Sequence, residues 1–141
     1  MRKLLYLLLG ALGFAGCSES FSCEYGTPSV DFTVKGKVTD SEGTPIKGIV
    51  VSSKSVQSYD DGNGLNAVTD ENGEFVTNKV KEFGVGGTLV FTDVDGAENG
   101  GDFETYEKEL LHSERTQIKE GDGNWYQGEY EVTVDVKLRK K

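Results

Sequence analysis

The chain has 141 residues, of which 35% are hydrophobic and 28% charged, enough for one domain with a modest core. Its formal charge of −9 argues against nucleic acid or an anionic membrane face as partner, because phosphate recognition needs basic patches. The only two cysteines, Cys17 and Cys23, stand too close together and too alone to make a metal site.

The first element in chain order is a leader. Arg2 and Lys3 give a positive start, Leu4 to Ala15 is apolar, and the small residues Ala15 and Gly16 run into Cys17. This is the pattern of a secretory signal peptide, and the run falls short of the roughly 20 apolar residues that span a bilayer. An ordinary signal followed by a chance cysteine, or a retained anchor helix, is the plainer alternative.

Phe14-Ala15-Gly16-Cys17 resembles a bacterial lipobox. The resemblance implies cleavage after residue 16, a diacylglycerol on the Cys17 sulfur and an acylated Cys17 amine. Each buried methylene contributes about 0.8 kcal/mol, so one acyl chain holds weakly and two or three hold firmly. Loss of Arg2 and Lys3 with the leader moves the charge from −9 to −11. Ser18 in such signals goes with delivery to the outer membrane, and Glu19 is an acid of the kind some bacteria use for export to the surface. The expected location is the cell envelope, through a lipid anchor. Cys23 is then an odd thiol in an oxidising compartment.

Residues 17–31 read as the lipidated N-terminus and a Ser-, Gly- and acid-rich tether, whose last fourteen residues reach at most about 45–50 Å. Period two begins at Phe32. Phe32, Val34, Gly36 and Val38 fall on one face, and Thr33, Lys35, Lys37 and Thr39 on the other. Asp40 to Pro45 is a turn with Gly43 suited to positive φ, and Ile46 to Ser53 is a second strand. Val56 to Tyr59 is a short extended piece before the polar loop Asp60 to Gly64. Asp70-Glu71-Asn72-Gly73 is a tight turn carrying the Asn-Gly hairpin signal, followed by a strand from Glu74 to Thr77. Lys79 to Gly87 has no clear pattern. Thr88 to Val94 is apolar in its middle and expected to be central. After the Gly- and acid-rich loop Asp95 to Asp102, Phe103 to His112 fits strand or helix, and consistency with the rest favours strand. Glu120 to Gly128 is a loop holding Trp125. The final strand places Tyr130, Val132, Val134, Val136 and Leu138 inward and ends in an exposed basic tip, Arg139 to Lys141.

About seven short strands and no helix after the leader predict an antiparallel Ig-like or prealbumin-like β-sandwich over residues 32–141, with a small closed barrel as the competing fold. Val34 to Asp40, Gly43 to Val51 and Thr69 to Phe75 resemble carboxypeptidase regulatory-like domains. That resemblance implies a non-catalytic accessory sandwich. The lipobox, Cys23 to Pro28, the VKGKVTD hairpin and Asp93 to Gly101 together resemble lipoproteins of Bacteroidetes-type bacteria that are paired with a radical S-adenosylmethionine (radical SAM) enzyme. What this implies is a partner enzyme, with the lipoprotein as its substrate or associate.

Four groups of residues are candidate sites. Cys23, beside Tyr25 and Gly26, is a candidate for modification by that enzyme, against a thiol with no dedicated role. Asp93, Asp95, Glu98, Asn99 and Asp102 offer the hard oxygens calcium prefers, but no Glu stands at the twelfth position of an EF-hand, and a solvated acidic turn explains them as well. Trp125, Tyr126 and Tyr130 could stack on a sugar of a cell-surface glycan, or simply pack. The sole histidine, His112, sits beside Ser113 and Glu114, where strand alternation would send neighbours to opposite faces. No HExxH, P-loop or paired catalytic carboxylate is present, so the expectation is a non-enzyme with no cofactor.

Overall fold

The computed structural model describes residues 28–54, 63–82 and 87–141. Cys17, Cys23, the leader, most of the tether and the piece at Val56 to Tyr59 lie outside the described residues.

Among the described residues, nine strands form two sheets. They are β1 Ser29–Thr39, β2 Ile49–Lys54, β3 Asn66–Val68, β4 Glu74–Val76, β5 Val80–Glu82, β6 Thr88–Asp93, β7 Tyr106–Glu109, β8 Arg115–Glu120 and β9 Tyr126–Lys137. One sheet has the order β4-β1-β9-β8, with β5 pairing β1 on the same edge as β4; the other has the order β3-β2-β6-β7. The chain is a β-sandwich, and its sheets stay separate rather than closing into a barrel.

Period two carries through to the core. Phe32, Val34 and Val38 of β1 and Val132, Val134 and Val136 of β9 are buried, as are Ile49, Val51, Leu89 and Phe91 of the second sheet. Phe75 meets Phe91 edge-on at 5.7 Å between ring centres, which couples β4 of one sheet to β6 of the other. Burying each such side chain contributes about 1.5–3 kcal/mol.

The path of β1 departs from the sequence expectation in two respects. The sandwich begins at Ser29, not Phe32: β1 pairs β5 at Val30 and Asp31, so three residues assigned to the tether belong to the body. Furthermore, β1 and β9 pair in parallel, with Phe32 opposite Tyr130 and Val38 opposite Val136, so the sheet is mixed. Parallel neighbours need a long crossover, and here everything from β2 to β8 supplies it. Gly36 permits this pairing, since a Cβ there would lie 1.6 Å from the Val134 carbonyl oxygen.

β8 is a strand the sequence did not announce. Thr116 to Glu120 are all exposed, with Ile118 the one apolar side chain, so there is no inward row for periodicity to detect. Phe103 to His112 is not one strand: Phe103 makes an isolated bridge to Lys140, β7 spans four residues, and His112–Glu114 is a single 3-10 turn. The exposed basic C-terminus has a paired backbone. The Glu104 amide donates to the Arg139 carbonyl at 2.8 Å and the Lys141 amide to the Asp102 carbonyl at 2.9 Å, although the three side chains remain exposed.

The turn between β3 and β4 carries the chain from one sheet to the other, and a buried threonine follows each of the two strands. Thr69 Oγ1 accepts from the Ile49 amide and donates to the Ile46 carbonyl; Thr77 Oγ1 accepts from the Val34 amide and donates to the Asn78 carbonyl. Among the described residues no buried side-chain polar atom lacks a partner.

Candidate functional site

The strand directions give the sandwich two distinct ends. At one, the chain enters at Ser29, whose amide donates to the Trp125 carbonyl at 2.8 Å. At the other lie the Asp40–Thr44 turn, the Asp93–Asp102 loop and the C-terminal residues. β9 runs between them over twelve residues, about 36–40 Å. Trp125 and the acidic loop therefore cannot contact one small ligand.

Two of the three aromatics, Tyr126 and Tyr130, are engaged within the fold. Trp125 is 40% exposed at the start of β9. The Tyr126 hydroxyl donates to Asp31 Oδ2 at 2.9 Å, and its pKa is pushed up to about 12, first by burial and then by the Asp31 carboxylate. Tyr130 packs against the core as expected, with the Arg115 guanidinium 4.5 Å above its ring.

In the acidic loop Asp93 and Asp95 turn their oxygens onto the loop itself. Asp93 Oδ1 accepts from the Asp95 amide and Oδ2 from the Phe103 amide, the latter at 3.0 Å. Asp95 Oδ2 accepts from Asn99 Nδ2 at 2.6 Å, and Asp102 pairs with Lys141 at 3.5 Å. Burial, and next the neighbouring Asp95 carboxyl, raise the Asp93 pKa, while the Asn99 amide lowers that of Asp95. Asp93, Asp95 and Asn99 lie together, but among the described residues no three His, Cys, Asp or Glu side chains are grouped to hold a metal ion.

His112, Ser113 and Glu114 share the 3-10 turn, so strand alternation is not what separates them. Glu114 is already engaged. Its carboxylate accepts from Lys108 Nζ at 2.9 Å and from the Leu111 amide at 3.1 Å, and these contacts, Lys108 first, hold its pKa below the usual value.

The feature sequence reasoning missed is a surface cleft of about 580 Å³ at the end away from Ser29. Ser41, Glu104, Tyr106, Lys137 and Arg139 line it, together with the buried Leu138. Tyr106 is 42% exposed and leans on Phe91, with ring centres 6.2 Å apart. The cleft exists because residues 102–104 pair with 139–141, a contact between distant segments that no local pattern encodes. Its hydroxyls, mixed charges and half-exposed ring suit contact with a polar, ring-bearing molecule.

No family model matches the chain, and no curated protein matches it. Among solved structures, 3-chlorocatechol 1,2-dioxygenase from Rhodococcus opacus 1CP has a similar fold, with a TM-score of 0.51 and 12% identity. The likeness covers 84% of this chain and 62% of that one, so the chain spans less than two thirds of the dioxygenase's length. At that identity it concerns the sandwich alone. Among the described residues no helix is long and apolar enough to cross a membrane.

Proposed function

We propose that this is a lipid-anchored protein of the cell envelope, acylated at Cys17, whose β-sandwich is non-catalytic and serves as substrate or associate of a radical SAM maturation enzyme. The observation that carries the anchor is the leader itself: two cations, an apolar run, and Ala15-Gly16 directly before Cys17. The partner enzyme rests on the wider resemblance through Cys23 to Pro28 and the Asp93 to Gly101 loop. With β1 starting at Ser29, residues 18–28 separate the anchor from the body by at most about 40 Å. The outer membrane is the expected host, and Cys23 is the residue within that spacer on which the enzyme would act.

Palmitate labelling in the host tests the anchor. Label should enter the wild-type chain and fail to enter Cys17→Ser; label entering both equally overturns it. The intact mass of the mature protein made with and without the partner enzyme tests the maturation step, and identical masses remove the substrate role.

A second reading, a binding module for a surface polysaccharide or a protein partner, is favoured by the cleft. On a body moored near Ser29, Ser41, Tyr106 and Arg139 face away from the membrane. A glycan array probed with the protein, alongside Tyr106→Ala, tests it: binding lost in the variant supports the module, and no binding by either removes the polysaccharide arm.

A further inference from the structure

Three Asn-Gly pairs fall in the described residues: Asn63-Gly64, Asn72-Gly73 and Asn99-Gly100. In such pairs the glycine amide nitrogen, unshielded by a side chain, can attack the asparagine side-chain carbonyl. We propose that Asn99 is a site of spontaneous self-modification, converting to aspartate and isoaspartate, and that the fold directs this chemistry to Asn99 and away from Asn72.

The step needs only water. A bond forms between the Gly100 nitrogen and Asn99 Cγ, and the Cγ–Nδ2 bond breaks. The proton lost by the Gly100 nitrogen leaves with Nδ2 as ammonia, giving a five-membered imide. Water then opens one of the two imide C–N bonds. Opening on one side leaves an ordinary aspartyl residue, and on the other an isoaspartyl link in which the chain runs through the side chain.

The reaction requires the backbone to swing so that the glycine nitrogen meets Cγ, and the two loops differ in how far they allow it. At Asn72 the turn is fixed on every side. The Asn72 amide donates to Asp70 Oδ1, the Gly73 amide to the Asp70 carbonyl at 2.9 Å, and the Gly73 carbonyl accepts from the Val38 amide at 2.8 Å. The attacking nitrogen is thus committed to a hydrogen bond within a packed turn. At Asn99 the frame is looser. Asn99, Gly100 and Gly101 carry consecutive positive φ values of 51°, 101° and 124°, and Asn99 is the one such non-glycine residue among those described. The positions where a Cβ would stand at Gly96 and Gly100 are open, with no atom within 4 Å, so nothing is packed against the loop at those two points. Among the described residues the Asn99–Asp95 side-chain contact, a long 3.4 Å bond from the Glu98 amide to the Asp95 carbonyl and the turn across Asn99-Gly100 hold that corner, and none of the three uses the Gly100 amide. Local opening is accordingly cheaper at Asn99.

The product changes the loop's electrostatics. The amide that now donates to Asp95 Oδ2 becomes a carboxylate facing a carboxylate, so an attractive contact turns repulsive.

The full chain, held at mildly alkaline pH and sampled over days, tests this by peptide mass mapping. A gain of about one dalton, with isoaspartate detected by enzymatic methylation, should accumulate at Asn99 about tenfold or more faster than at Asn72, the ratio expected for a difference of about 1.4 kcal/mol in opening. In denaturant the two sites should converge. Equal rates in the folded chain, conversion at Asn72 first, no conversion at Asn99, or a ratio that persists in denaturant would each overturn the proposal.

Discussion

The same turn is built twice in this sandwich. Residues 39–44 read Thr-Asp-Ser-Glu-Gly-Thr and residues 69–74 read Thr-Asp-Glu-Asn-Gly-Glu. In the first, the Asp40 amide donates to the Thr44 carbonyl, the Gly43 amide to the Asp40 carbonyl, and Asp40 Oδ1 accepts from the Glu42 and Thr44 amides. In the second, Asp70, Asn72, Gly73 and Glu74 repeat every one of these bonds. Gly43 and Gly73 take φ of 88° and 70°. Surroundings alone separate them. A Cβ on Gly43 would meet nothing within 4 Å, whereas one on Gly73 would lie 2.4 Å from the Val38 carbonyl oxygen. One turn is a freestanding loop, and its copy is wedged against β1. Identical local chemistry thus sits in two different energetic settings, and substitution should expose the difference.

The largest effect is expected at Gly73→Ala. It adds the cost of a left-handed alanine to a collision with backbone that cannot move alone, about 3 kcal/mol in all, read as a lower denaturant midpoint. Asp70→Ala should follow at about 1 kcal/mol, because the two amides it caps lose their acceptor. Gly43→Ala should cost about 1 kcal/mol, conformational strain only, and Gly43→Asn well under that, since asparagine tolerates positive φ. Equal losses at Gly43 and Gly73 would mean that the packing against Val38 carries no weight.

The smallest effect concerns acid. The Thr44 amide, more than the Glu42 and Gly43 amides and the Lys140 charge, holds the Asp40 carboxyl below its ordinary 3.8. A depressed folded-state pKa stabilises fully above the unfolded value, and the benefit disappears as pH falls through the folded one. Melting temperature followed from about pH 5 to about pH 2 should therefore fall less steeply for Asp40→Asn than for the wild type. Tyr126 has the opposite sign. Its raised pKa stabilises below its ordinary value of 10 and ceases to do so as pH rises through about 12. Tyr126→Phe should remove that alkaline dependence and cost about 1 kcal/mol near neutrality.

Both turns were legible in the sequence as turns, through Gly43 and through Asn72-Gly73. The type was not. Asn72-Gly73 suggests a two-residue hairpin with positive φ at both positions, yet Asn72 is not among the positive-φ residues, and Asp70 organises the loop instead. A side-chain acceptor three residues before the glycine outweighs the dipeptide preference. Of the candidate sites, Tyr130 pointing inward was readable from alternation. The cleft beside Tyr106 was not, because Glu104 and Arg139 lie far apart in sequence.

By itself the sequence determined which residues are buried along β1 and β9, that β2 and β6 are strands, where the main turns fall, and the leader pattern ending at Cys17. Alternation and turn chemistry are local, and a few neighbouring residues suffice to express them. Only the tertiary structure decided that β1 and β9 run parallel, that the exposed residues of β8 form a strand, and that Trp125 and the acidic loop stand at opposite ends. Each of these depends on which distant segment supplies the hydrogen-bonding partner, and backbone amides are alike wherever they occur. The choice therefore belongs to the packing of the whole chain.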